Sequence, residues 1–330
     1  MRIGLVFAGQ GAQYPGMGKS LSDSSPAARK VFELAGEEVS DHCFNGSKEL
    51  LRQTNVTQPA IFTVTMAAYE AFMEGLAKIE SYKKGDIEIV AISGFSLGEY
   101  AALTASASID SFQKGLEIVS RRGNLMDKAG RDHEGQPLGG MVASFGSRED
   151  ILLCVEAARQ DGMLSGVNFN SPIQTVVAGD FQALERYMEI CKERRIKSKM
   201  LSVSTAFHSP LMEGASKELE ELLMDMDLKA PDIKVYSNLT GRDLMESFNK
   251  NKGSVSEYLA ELMGKQAHSP VYWQEIIEAM AKEGIDYFVE IGPGVTLSGL
   301  SKKIISDVNT LNVENQESLE KTLEFLSHPL

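Results

Sequence analysis

The sequence Gly94-Phe95-Ser96-Leu97-Gly98 sits between an apolar, β-branched run, residues 87–93, and a run of helix formers that opens at Glu99. A strand that becomes a helix within so few residues needs a cramped turn, and glycines without Cβ atoms permit it. A serine in such a turn has its hydroxyl at a helix N-terminus. There the helix dipole and free N–H groups stabilise developing negative charge. The Gly-x-Ser-x-Gly pattern therefore admits a nucleophile elbow at Ser96. It also admits a tight turn in which Ser96 only caps the helix.

The rest of the chain repeats strand, turn and helix. Strands are predicted at 3–8 and 87–93, and helices at 26–41, 59–77 (opening at Pro59), 99–107 and 110–129. Strands at 140–144, 165–169, 174–179 and 200–204, with helices at 148–159 and 181–195, give a βαββαβ order, which is that of a ferredoxin-like unit. Beyond it come helices at 209–226, 254–263, 270–283 and 315–326, and strands at 233–237 and 286–291. The expected fold class is α/β. It has a parallel-sheet, α/β-hydrolase-like large domain (1–138 and 205–330) and an inserted ferredoxin-like small domain (139–204).

Lys and Arg total 33 against 46 Asp and Glu, a formal net charge of −13. That balance excludes nucleic acid as the main partner. No segment has the apolar length of a membrane span. The cysteines Cys43, Cys154 and Cys191 are far apart, which argues against a disulfide framework or a metal site and fits a reducing cytoplasm. One local basic run stands out: Lys192, Arg194, Arg195, Lys197 and Lys199. It is either a docking patch for an anionic partner or a solvated helix end.

A catalytic serine needs a base, and the chain has five histidines. His208 follows an apolar run in a loop at a predicted strand end, where α/β sites lie, and it is preferred over His268. No acid between Ser96 and His208 has an evident strand-end setting. Either a carboxylate or a backbone carbonyl could fix the tautomer of the histidine. Arg121 and Arg122 lie on an amphipathic segment. Both could face solvent. A buried guanidinium would instead offer a planar fork to a substrate carboxylate. Gly9-Gln10-Gly11 and Gly292-Pro293-Gly294 each lack the third glycine of a dinucleotide loop, and neither has the Gly-Lys-Ser/Thr of a P-loop.

Taken in order, these motifs resemble the malonyl-CoA:acyl carrier protein transacylases and the related acyltransferase domains of polyketide synthases. The likeness runs from Phe7-Ala8-Gly9-Gln10-Gly11 through the Ser96 elbow, Arg122-Gly123 with Met126, and Val167-Asn168-Phe169-Asn170. It continues through Ala206-Phe207-His208-Ser209 and Gln266 to Glu290-Ile291-Gly292-Pro293-Gly294. The resemblance implies Ser96 as nucleophile and His208 as base, held by the main-chain carbonyl of Gln266. It implies an oxyanion hole from the N–H groups of Gln10 and Leu97, and Arg122, Met126, Phe207, Gln266 and Asn168 around the substrate. The implied substrates are malonyl-CoA and the phosphopantetheine thiol of acyl carrier protein, in fatty acid biosynthesis, with no metal or other cofactor. The basic run Arg194, Arg195, Lys197 and Lys199 would dock the carrier. Two positions depart from the family pattern. Phe95 stands where histidine is usual, and Ala8 where proline is usual. A polyketide synthase's trans-acting acyltransferase and an acyl hydrolase remain alternatives.

Overall fold

The structure, a computed structural model, describes residues 1–328. Five parallel strands form the larger sheet: β1 (Arg2–Phe7), β2 (Glu88–Gly94), β7 (Lys234–Tyr236), β8 (Tyr287–Ile291) and β9 (Asn309–Val313), in the order β7-β2-β1-β8-β9. The centre strand β1 is buried on both faces, as parallel strands covered by helices are. Ile3, Leu5 and Phe7 point to a core that includes Phe62 and Phe72 of the Thr54–Leu76 helix. Val6, on the alternate face, joins Trp273, Ile276 and Ile277.

The smaller sheet is antiparallel: β3 (Gly140–Phe145), β4 (Leu164–Ser171), β5 (Gln174–Gly179) and β6 (Lys197–Met200), in the order β4-β5-β3-β6. With the helices Arg148–Arg159 and Phe181–Glu193 this is the ferredoxin-like arrangement. The period of two divides its residues between faces. Val142 and Val177 pack under those two helices, while Met141, Ala143 and Val176 pack with Met126 and Phe207 of the larger unit. The open face of the small sheet thus covers the strand ends of the large one.

Several elements differ from the sequence reading. The long helix begins at Thr54 and carries Pro59 inside it, so its start is five residues earlier than the proline signal indicated. The 26–41 helix is two helices, broken at Gly36, whose φ of 86° ends the first. The fourth small-domain strand is Lys197–Met200, not 200–204: it pairs at the sheet edge with β3, Phe145 opposite Lys197. Alternating lysines suit an edge strand, and they hid it from a search for apolar runs. The helix Thr296–Ile304 and the strand β9 were not foreseen; β9 reads Asn-Thr-Leu-Asn-Val, too polar to signal a strand. Among the described residues no helix is long and apolar enough to cross a membrane. The three cysteines are buried and unpaired.

Candidate active site

Strand β2 ends at Gly94 and the next helix begins at Gly98. Ser96, between them, has a φ of 51°, a left-handed conformation that costs a non-glycine residue energy and concentrates at functional sites. The two glycines let the turn close. A Cβ on Gly94 would lie 2.0 Å from the Gly98 carbonyl, and one on Gly98 would lie 2.2 Å from the Phe7 carbonyl oxygen. The elbow is clamped from a neighbouring strand end. Asn238, just beyond β7, accepts the Ser96 N–H at 2.6 Å through Oδ1 and donates to the Gly94 carbonyl at 2.7 Å through Nδ2.

His208 Nε2 lies 2.7 Å from Ser96 Oγ. Its Nδ1 lies 3.0 Å from the Gln266 carbonyl oxygen and 3.1 Å from that of Ser269. Two acceptors on one side require the proton on Nδ1, which leaves Nε2 free to accept the serine proton. His208 also has a positive φ, 59°. Burial above all, and then the nearby Arg122 charge, hold the imidazole down at about 4, against the two carbonyl hydrogen bonds. A neutral ring of this tautomer can accept a proton at Nε2.

Arg121 and Arg122 part company on their helix, because adjacent helical residues face different ways. Arg121 is exposed and pairs with Glu117. Arg122 is 1% exposed. Its Nη1 donates to Gln58 Oε1 at 2.8 Å, and its Nη2 donates to Gln266 Oε1 at 3.2 Å and to Ser96 Oγ at 3.3 Å. The Tyr100 ring lies 5.2 Å from Cζ, within cation–π range. Among the described residues no carboxylate touches the guanidinium, and Nε has no partner.

Hydroxyl, imidazole and guanidinium thus meet at one point. Residues 5–319 match the acyl transferase domain family. The chain belongs to that family. It is 34% identical, over 98% of its length and 97% of the relative's, to a malonyl CoA-acyl carrier protein transacylase of Bacillus subtilis. A crystal structure of such a transacylase from Clostridium perfringens superposes with a TM-score of 0.86 at 37% identity, covering 99% of this chain and 97% of that one. A malonyl-transacylase solved in complex with its type II PKS acyl-carrier protein superposes with a TM-score of 0.87 at 30% identity, covering 98% and 99%.

In this acyl transferase Ser96, His208 and Arg122 open into a cavity of about 230 Å³ between the two sheets. Gln10, Met126, Phe207 and Asn168 all line it, as do Phe95 and Asn170. Phe95 also packs edge-on against Trp273 at 5.3 Å between ring centroids. The backbone N–H groups of Gln10 and Leu97 donate to no other described residue. Met126 has a further contact: its sulfur accepts from Gln58 Nε2 at 3.6 Å, which turns the Gln58 oxygen toward Arg122. The fallback base, His268, lies 2.8 Å from Ser216 Oγ and not at the cavity. Glu290 accepts from the N–H groups of Leu297 and Ser298 at 2.9 and 2.7 Å. The helix end that a phosphate loop would use is therefore already occupied by a carboxylate. Among the described residues no three His, Cys, Asp or Glu side chains gather in a metal-holding group.

Arg194, Arg195, Lys197 and Lys199 are exposed at the end of the Phe181–Glu193 helix and along β6. Lys197 Nζ sits 5.9 Å from the Phe145 ring centroid. Sequence reasoning missed Gln58, Asn238, Glu99 and the Ser269 carbonyl. Only Gln58 had a legible signal, a polar residue just before the apolar stretch of a helix. The tautomer argument makes a direct prediction: side-chain nitrogen NMR at pH 6 will show His208 neutral with its proton on Nδ1. A doubly protonated ring at that pH would contradict it.

Proposed function

We propose that this acyl transferase moves a malonyl group from malonyl-CoA to the phosphopantetheine thiol of an acyl carrier protein, through an ester on Ser96, in fatty acid biosynthesis. The observation that carries this reading is the placement of Arg122. Its buried Nη2 lies 3.3 Å from the nucleophile oxygen, with only neutral partners. A hydroxyl and an imidazole alone would serve a hydrolase. A buried cation beside them serves an acyl group that ends in a carboxylate.

His208 Nε2 takes the Ser96 proton as Oγ attacks the thioester carbonyl. The N–H groups of Gln10 and Leu97 face the resulting oxyanion; one such donor contributes about 3 kcal/mol in comparable enzymes. His208 then returns the proton to the departing CoA sulfur. Arg122 holds the carboxylate of the malonyl ester until the carrier thiol enters. The thiol gives its proton to Nε2 and attacks the ester carbonyl; the acyl–Oγ bond breaks, and Nε2 returns the proton to Ser96 Oγ. No metal or nucleotide cofactor enters these steps. The order of events is ping-pong. The buried, unpaired cysteines fit action in the cytoplasm.

The four cations of the small domain are the proposed carrier-docking patch on an otherwise acidic chain, because an acidic carrier is drawn to local positive charge. Mass measurement of the intact protein after incubation with malonyl-CoA will show a malonyl adduct, and Ser96→Ala will show none. An undiminished adduct on that variant would remove Ser96 from its role. Arg122→Ala will lose about ten- to a hundredfold in malonyl over acetyl preference, the worth of a hydrogen bond to a charged group. Reversing the charges of Arg194 and Arg195 will slow transfer to carrier while sparing formation of the Ser96 ester. Equal carrier kinetics would mean the patch is only a solvated helix end.

A further inference from the structure

Glu99, three residues past the nucleophile, is fully buried and has no part in the steps above. Its two oxygens are divided between two different clamps. Oε1 accepts the backbone N–H of Asn238 at 3.1 Å, and Oε2 accepts Gln266 Nε2 at 2.9 Å. Asn238 is the residue that brackets the elbow through the Ser96 N–H and the Gly94 carbonyl. Gln266 donates also to the Ser96 carbonyl at 2.9 Å, and its Oε1 faces Arg122.

A side-chain amide has two faces, an acceptor and a donor, and either can be turned to a given neighbour. An ionised carboxylate only accepts. With Glu99 and the Ser96 carbonyl on one side, both acceptors, the Gln266 NH₂ must point to them, so the Gln266 oxygen must point to Arg122. Were the amide reversed, NH₂ would face the guanidinium, and two donors would meet in a buried site. Glu99 does not line the cavity and makes no hydrogen bond to Ser96 Oγ. It acts one amide away.

We propose that Glu99 is a positioning residue for acyl selection: together with the Ser96 carbonyl it holds the orientation of the Gln266 amide and thereby keeps Arg122 ready for a carboxylate-bearing acyl group. This rests on malonyl transfer as the reaction. The groups acting on Glu99 are Arg122 from the Phe112–Ala129 helix, the neighbouring Tyr100 of its own helix, and the uncharged Gln266, Asn238 and Ser237. Glutamine at position 99 would keep the volume but bring a donor toward either the Asn238 N–H or the Gln266 NH₂. The Gln266 NH₂ then keeps only the Ser96 carbonyl as a sure acceptor, and the amide is held less firmly in its orientation. Protonating Glu99 does the same thing chemically, by turning one acceptor oxygen into an O–H.

The test measures the rate of Ser96 acylation from malonyl-CoA and from acetyl-CoA by intact mass, in the wild-type chain, in Glu99→Gln and in Glu99→Asp. Glu99→Gln is expected to lower the malonyl-to-acetyl ratio about tenfold or more, with the malonyl rate falling and the acetyl rate changed far less. Glu99→Asp, still acceptor-only, should recover part of that ratio. If Glu99→Gln folds and its ratio equals that of the wild type, the proposal is overturned, and a lowered thermal midpoint alone would mark Glu99 as a packing residue. If Glu99→Gln does not fold, the wild-type chain decides. Burial pushes the Glu99 carboxyl up to about 7, against its hydrogen bonds and Arg122. The ratio should therefore be high above that pH and fall below it. A ratio flat from about pH 8.5 to about pH 5.5 overturns the proposal. The ratio cancels any titration of His208, which both acyl groups share. Absence of any malonyl ester on wild-type Ser96 would instead sink the transfer reading.

Discussion

A guanidinium buried without a carboxylate is the constraint around which the site is built. Taking a charge out of water costs several kcal/mol, and a protein normally recovers part of that with an opposite charge in contact. Arg122 instead has two amide oxygens, a serine oxygen and the ring of Tyr100. Neutral acceptors in contact, with the Glu99 carboxylate one amide away, keep the cation folded inside while leaving it without a carboxylate of its own in direct contact. The Nε–H without a partner is part of the same imbalance. A ligand that supplies a carboxylate completes the set, and one that does not leaves the charge as it was. Selectivity for an acidic acyl group follows from a cation to which the protein itself offers only neutral contacts.

The parallel sheet makes that arrangement possible. Its strand ends point one way, so loops far apart in sequence converge. The Gln10 loop follows β1, Ser96 follows β2, Asn238 follows β7, and Glu290 sits near the end of β8. Because β2 lies between β7 and β1, the elbow has Asn238 on one side and the Gln10 loop on the other. The strained φ of Ser96 persists because neighbours over-determine it: the Asn238 side chain, the Phe7 carbonyl against Gly98, and the Gln266 amide on the Ser96 carbonyl.

What was legible in the sequence follows from how local each signal is. The elbow is five consecutive residues whose glycines have a steric reason, so the turn could be read directly and Ser96 narrowed to nucleophile or helix cap. His208 and Arg122 could be narrowed to pairs, His208 or His268 and exposed or buried. Packing decides those choices, and packing has no local signature. Gln58 escaped because Pro59 looks like a first-turn proline, whereas the helix already runs from Thr54 and carries Gln58 buried on its inner face. Asn238 and Glu99 escaped for another reason. Each looks ordinary in sequence, a polar residue after a strand and an acid in the first turn of a helix, and only the fold brings them within hydrogen-bond reach. The edge strand β6 was misplaced because apolar content marks interior strands, while edge strands are kept polar.

The small domain does more than close the cavity. Val271 N–H donates to the Val167 carbonyl at 2.8 Å, and Phe169 N–H donates to the Val271 carbonyl at 2.9 Å, so β4 pairs with a segment of the large unit. That segment begins with the Gln266 and Ser269 carbonyls that orient His208, and its Tyr272 N–H donates to the Asn238 carbonyl at 3.0 Å. Arg148 at the start of the Arg148–Arg159 helix adds a 2.5 Å contact to Glu275 and lies 4.2 Å from the Phe169 ring centroid. One strand of eight residues, which carries Asn168 in the cavity wall, is thus joined through a single short segment to His208 and to the elbow clamp. A shift of the small sheet cannot leave the histidine where it is without breaking those main-chain bonds. The catalytic geometry is therefore a property of both units together, even though neither the serine nor the histidine belongs to the smaller one.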